Sequence, residues 1–133
     1  MSVLSGKNIL LGISGGIAAY KSPFIVRLLK SLAAEVKIVM TPSAKDFVTP
    51  LTLATLSTHP VYSTFTEESH DNHVWNDHVA LGKWADIFLI APATSNTISA
   101  MVNAKCNNLL IATYLSCTCP VYIAPAMDLD MYA

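Results

Sequence analysis

Four short apolar runs, "NILLGI" (8–13), "EVKIVM" (35–40), "DIFLIA" (86–91) and "PVYIAP" (120–125), recur along the chain with helix-like stretches between them. Each is about strand length, rich in Ile, Val, Leu or aromatics, and closed by Ser, Thr, Gly or Pro. That is the pattern of strands buried on both faces. Residues 24–33 set Ile25, Leu28, Leu29 and Leu32 at i, i+3, i+4 and i+7, a single apolar helical stripe, with Ser22 and Pro23 at its start. Residues 98–116 read as helical material broken near "NAKCNN". Alternation of this kind predicts βαβ units, hence the α/β class with a parallel sheet and helices on both of its faces.

The chain has 133 residues, 53% of them apolar, which suits one domain over 1–133 with one buried core. Eight Lys plus Arg against nine Asp plus Glu, without a basic run, argue against nucleic acid as a partner. The first residues lack the charged-then-apolar order of a signal peptide, and no segment approaches the ~18 consecutive apolar residues of a membrane helix. A cytoplasmic protein is expected. Cys106, Cys117 and Cys119, odd in number and clustered late, fit a reducing compartment better than a disulfide framework.

In an open parallel sheet, ligands bind beyond the carboxyl ends of the strands, so the segments after Ile13, Met40, Ile90 and Ile123 hold the candidate site. The first carries Ser14, Gly15, Gly16 and Ile17, where adjacent glycines let backbone N–H groups approach an anion. A dinucleotide fingerprint would read G-x-G-x-x-G, with a carboxylate ~20 residues on for the ribose. Here the spacing is G-x-x-G-G, and the second strand ends in "VMTPSA", hydroxyls without a carboxylate. A monophosphate fits better than NAD. After the third strand Pro92 is expected to stop the strand, and Thr94, Ser95, Asn96 and Thr97 exceed what a helix cap alone needs.

The remaining candidates are weaker. His78 stands between a polar stretch, 57–78, and an apolar helix, where a histidine can exchange a proton near neutral pH. His70, His73 and His78 make a poor metal pattern, so no metal is expected. Met127 and Met131 are read first as core residues, and Asp128 and Asp130 as caps or solvated groups. Cys117 and Cys119, one residue apart, would point to opposite faces of an extended chain and are read as buried thiols.

"GISGGIAAYK", "HVALGKWADIFLIAPATSNT", "NNLL" and "PAMDLDMY", in this order and at these intervals, resemble the flavin-containing cysteine decarboxylase family, and within it the phosphopantothenoylcysteine decarboxylases. The likeness runs over nearly all 133 residues. It implies a Rossmann-like flavoprotein fold with FMN, a monophosphate, as cofactor. It also implies that Ser14, Gly15, Gly16, Ile17, Thr41 to Ser43, Thr94, Ser95, Asn96, Thr97 and Ala126 contact FMN. His78 matches the family's catalytic histidine, while Asp128 and Met131 fall in its substrate-binding motif. The implied reaction converts 4'-phosphopantothenoylcysteine to 4'-phosphopantetheine in coenzyme A biosynthesis. Losing CO2 from the cysteinyl group leaves a carbanion without an electron sink. Oxidation of the thiol to a thioaldehyde by flavin supplies that sink, and re-reduction completes the cycle. The resemblance further implies homotrimers, or assemblies of them, and a fused or separate phosphopantothenate-cysteine ligase as partner.

Several positions depart from the family pattern. Asp128 replaces an asparagine that contacts substrate; it is either protonated in a dry pocket or accepts from a substrate amide. Ala104 and Asn107 replace a glycine and an aspartate, and Ala104 is strained if its φ is positive. Tyr132 replaces a tryptophan. The family's substrate-covering flap, with its cysteine, and its last helix lie beyond the positions matched here. The competing readings are a non-catalytic flavin-binding or regulatory homologue and an enzyme like the flavin prenyltransferases.

Overall fold

The computed structural model describes residues 3–68, 73–75 and 77–127, with backbone alone at 66–68 and 73–75. Five parallel strands form the main sheet in the order β3-β2-β1-β6-β7: β1 (Asn8–Ile13), β2 (Glu35–Met40), β3 (Val61–Tyr62), β6 (Ile87–Ala93) and β7 (Val121–Pro125). A two-stranded antiparallel ribbon pairs β4 (Thr66–Glu68) with β5 (His73–Trp75). The helices are α1 (Ser22–Ser31), α2 (Pro50–Ser57), α3 (His78–Trp84), α4 (Ser95–Val102) and α5 (Leu109–Ser116).

Alternation along the central strands divides the core in two. Ile9, Leu11 and Ile13 of β1 join Val36, Ile38 and Met40 of β2 on one face, under Val26 and Leu29 of α1 and Leu53 of α2. Leu10, Val39, Phe88 and Ile90 point to the other face, under Leu81 of α3 and Leu109 to Ile111 of α5. Both faces of β1 are therefore sealed, which is why its sequence is a continuous apolar run and not an alternating one. Gly12 interrupts that run because a Cβ there would come 2.9 Å from a Phe88 ring carbon and 3.1 Å from a Leu110 methyl. The order of strands reverses at β1, whose successors lie on opposite sides, so a crevice opens beyond β1 and β6.

The structure corrects three expectations. Pro92 does not stop its strand: β6 runs on to Ala93, and the ladder to β7 shifts register between Ile90 and Ala93, where proline has no N–H to donate. The buried side of α1 is Ser22, Val26 and Leu29, so the expected stripe is rotated, and Leu28 is 59% exposed beside Phe24 at 64%. The polar stretch 57–78 is not one loop, because β3 adds a fifth strand to the main sheet and β4 with β5 make a ribbon. These strands are two or three residues long, too short for periodicity to register.

Candidate active site

The glycine turn after β1 is shaped by close approach. A Cβ on Gly15 would lie 2.9 Å from Ser43 Cβ, so the turn packs against the segment after β2 only because Gly15 has no side chain. Gly16 adopts φ 151°, a backbone region that favours glycine. Ser14 is wholly buried. Its hydroxyl donates to the Pro92 carbonyl and accepts from Thr94 N–H at 3.0 Å, fastening the end of β1 to the end of β6. Its side chain braces the segments that line the site.

Two adjoining clefts open at this end of the sheet. The first, about 370 Å³, is lined by Gly15, Thr41, Pro42, Ser43, Thr94, Asn96, Thr97, Ala100, Asn107 and Asn108. Thr41 and Ser43 share a hydroxyl hydrogen bond at 3.2 Å and open a 3-10 turn over 42–46. Thr94 caps α4 by accepting from Thr97 N–H, and Asn108 caps α5 by accepting from Ile111 N–H at 3.0 Å. Asn108 also donates its amide to Asn107 Oδ1 at 3.2 Å. Two helix N-termini and a 3-10 turn thus converge on one polar cleft, each bringing unpaired backbone N–H groups and partial positive charge. Among the described residues no Lys or Arg lines it, and no Asp or Glu. Such a donor set receives an anion through dipoles and hydroxyls, without a counter-cation.

The second cleft, about 440 Å³, is lined by Gly16, Ile17, Ala18, Thr94, Pro125, Ala126 and Met127. Ala126 N–H donates to the Ala93 carbonyl at 2.9 Å, tying the segment after β7 to the end of β6. Thr94 is common to both clefts, so a polar and an apolar chamber meet at one residue.

Of the candidate residues, Gly15, Gly16, Ile17, Thr41, Ser43, Thr94, Asn96, Thr97 and Ala126 line these two clefts. Ser95 is exposed in the first turn of α4 and lines neither. His78 begins α3, whose cap is Asp77 accepting from Val79 and Ala80 N–H at 2.9 and 3.1 Å. Its ring meets Phe65 edge-on, with centroids 6.3 Å apart, and its Nδ1 is buried. His78 also lines neither cleft. Asp128, Met131 and His70 lie outside the described residues, as does the side chain of His73. Among the described residues no group of three or more His, Cys, Asp or Glu could hold a metal, and no helix is long and apolar enough to cross a membrane.

Sequence reasoning missed Ala100, Asn107, Asn108, Ala18 and Pro125 as lining residues, and it read Met127 as core. The available signal was "NN" directly before an apolar helix, a cap that sits at a helix N-terminus and therefore at an anion-favouring end.

A family model described as Flavoprotein matches residues 2–133. The chain belongs to the Flavoprotein family. The coenzyme A biosynthesis bifunctional protein CoaBC of Vibrio vulnificus strain YJ016 is 46% identical over 132 residues, 99% of this chain and 32% of that protein. The chain thus spans about a third of the curated relatives it matches. Among solved structures, the FMN-dependent cysteine decarboxylase SpaF superposes with TM-score 0.87 at 28% identity, covering 98% of this chain and 74% of that one. A mutant PPC decarboxylase complexed with pantothenoylaminoethenethiol superposes with TM-score 0.77 at 31% identity, covering 96% and 70%.

The residues of this flavoprotein fit a flavin mononucleotide. Its polar cleft offers hydroxyls, amides and helix N-termini to a phosphate, while the cleft beyond Thr94 offers Ile17, Ala18, Pro125 and Met127 to a flat apolar ring. Ala104 has φ 54° in the turn after α4, where Lys105 N–H closes on the Ala100 carbonyl at 2.9 Å. A left-handed residue ends that helix without the freedom glycine would have there.

Proposed function

We propose that this flavoprotein binds FMN across the two clefts and decarboxylates 4'-phosphopantothenoylcysteine to 4'-phosphopantetheine in coenzyme A biosynthesis. The observation that carries the reading is the polar cleft, lined by no cation and no carboxylate among the described residues and joined through Thr94 to an apolar one. A monophosphate suits the first, and the end of β2, "VMTPSA", brings hydroxyls and not the carboxylate that a dinucleotide's ribose would want. The likeness to CoaBC supports the pathway, and the likeness to a PPC decarboxylase supports the substrate class.

Bound flavin supplies a reversible two-electron sink, which lets the cysteinyl thiol become a thioaldehyde and CO2 leave with its electrons flowing toward sulfur. The chain's own residues hold and orient. Gly15, Thr41, Ser43, Asn96 and Thr97 receive the phosphate end, while Gly16, Ile17 and Ala126 flank the ring. Ser14 and Ser95 act from behind and beside them. His78 exchanges a proton with the reacting thiol or carboxylate, and Asp128 and Met131 contact substrate.

The domain acts in the cytoplasm as a homotrimer, with a phosphopantothenate-cysteine ligase, fused or separate, making its substrate. Exposed apolar side chains along the 3-10 turn 17–21 and the outer face of α1, namely Ile17, Tyr20, Phe24 and Leu28, support self-association. The test is FMN-loaded protein mixed with phosphopantothenoylcysteine. Stoichiometric CO2 supports the reading; bound flavin without CO2 leaves a flavin-binding module, and no bound flavin overturns it.

A further inference from the structure

Cys117 and Cys119 lie at the joint between α5 and β7, away from both clefts. Reading them as extended and opposed fails: both pack, half-buried, against the same core layer under α3 and α5. Cys117 donates its thiol hydrogen to the Tyr114 carbonyl at 3.3 Å, and Cys119, two residues on, packs against the same layer. The backbone here presses on α3. A Cβ on Gly82 would come 3.1 Å from Cys117 Cα and 3.3 Å from Cys117 N, so there is no slack between this joint and the helix. Gly82 stands four residues after His78, on the same side of α3.

We propose that Cys117 and Cys119 are a redox-modifiable dithiol, closed by a low-molecular-weight disulfide into an intrachain disulfide that loosens α3 through Gly82. In the first step the Cys119 thiolate attacks one sulfur of the oxidant, forming a mixed disulfide and releasing one thiol. In the second, Cys117 loses its proton and attacks the Cys119 sulfur, releasing the second thiol. The protein gives up two electrons and two protons, and the two released thiols carry them. Burial, reinforced by neighbouring Cys119, pushes the Cys117 thiol up to about 11, which disfavours Cys117 as the first attacker. Disulfide geometry then draws the two β-carbons together. The backbone of Cys117 abuts Gly82, so a shift made on closure is passed to α3.

The effect on catalysis rests on the role proposed for His78, whereas the effect on α3 does not. The test therefore uses neither flavin nor substrate. Protein carrying Cys106→Ser, which removes the exposed third thiol, is incubated with excess glutathione disulfide. The expected result is an intact mass lower by two hydrogens, with faster hydrogen exchange at the amides of 79–84. Dithiothreitol reverses both changes, and adding Cys119→Ser abolishes both. An unchanged mass, a persistent glutathione adduct, or closure with unchanged exchange in α3 would overturn the proposal.

Discussion

The two clefts that meet at Thr94 are built from opposite materials. On one side stand Thr41, Ser43, Asn96, Thr97, Asn107 and Asn108 at the starts of helical segments; on the other stand Ile17, Ala18, Pro125 and Met127. The polar cleft gets its preference for anions from backbone direction, because helix N-termini supply charge without a basic side chain. The apolar cleft gets its character from side chains at strand ends. One ligand with a charged end and a flat end satisfies both, and separating its ends should separate the clefts.

The largest effect is expected where neither cleft is touched. His78→Asn should lower CO2 release by roughly 10²–10⁴-fold, the usual worth of general acid–base catalysis, with FMN affinity within about twofold of wild type by fluorescence quenching. Loss of flavin binding in this variant would tie His78 to the clefts and blur the division. Gly15→Ala comes next. Its Cβ drives into Ser43 and into the wall of the polar cleft, a clash worth about 1–3 kcal/mol, so FMN should bind about tenfold to a hundredfold more weakly.

Smaller changes set the two clefts against each other. Ser43→Ala removes one donor to a charged group, worth about 1.5–3 kcal/mol, and should weaken FMN roughly tenfold or more while leaving riboflavin unchanged. Met127→Ala should weaken FMN and riboflavin equally, by about tenfold or less, as loss of half-exposed apolar contact predicts. A reversed pattern in competitive titrations would exchange the roles of the clefts. The smallest effect is a titration far from both. Burial raises the Cys117 thiol from 9.0 to about 11, so the folded state holds a proton that the unfolded state releases in between. Stability to urea should fall as pH rises from 9 towards 11, and less steeply in Cys117→Ser.

Much of this was legible in the sequence because buried parallel strands write themselves as apolar runs. β1 and β2 begin and end where "NILLGI" and "EVKIVM" do, and α4 and α5 flank the break expected near "NAKCNN". The misses have physical causes. Leu28 fits a helical stripe, yet α1 has two apolar sides, and periodicity alone does not say which one the sheet receives. β3 is two residues long and carries no pattern. Asn107 and Asn108 enter the cleft because α5 starts beside α4 and the 3-10 turn, a juxtaposition made by the sheet and invisible along the chain. Ser14 joins two strand ends through its buried hydroxyl, a role that looks the same in sequence as meeting a ligand.

The most direct measurement is paired titration of the flavin-free protein with FMN and with riboflavin, which differ only in the phosphate. A phosphate seated on helix N-termini and hydroxyls makes several hydrogen bonds to charge at about 1.5–3 kcal/mol each, so riboflavin should bind on the order of a thousandfold more weakly or worse. Equal affinities would contradict the account, because the polar cleft would then have no part in holding the ligand.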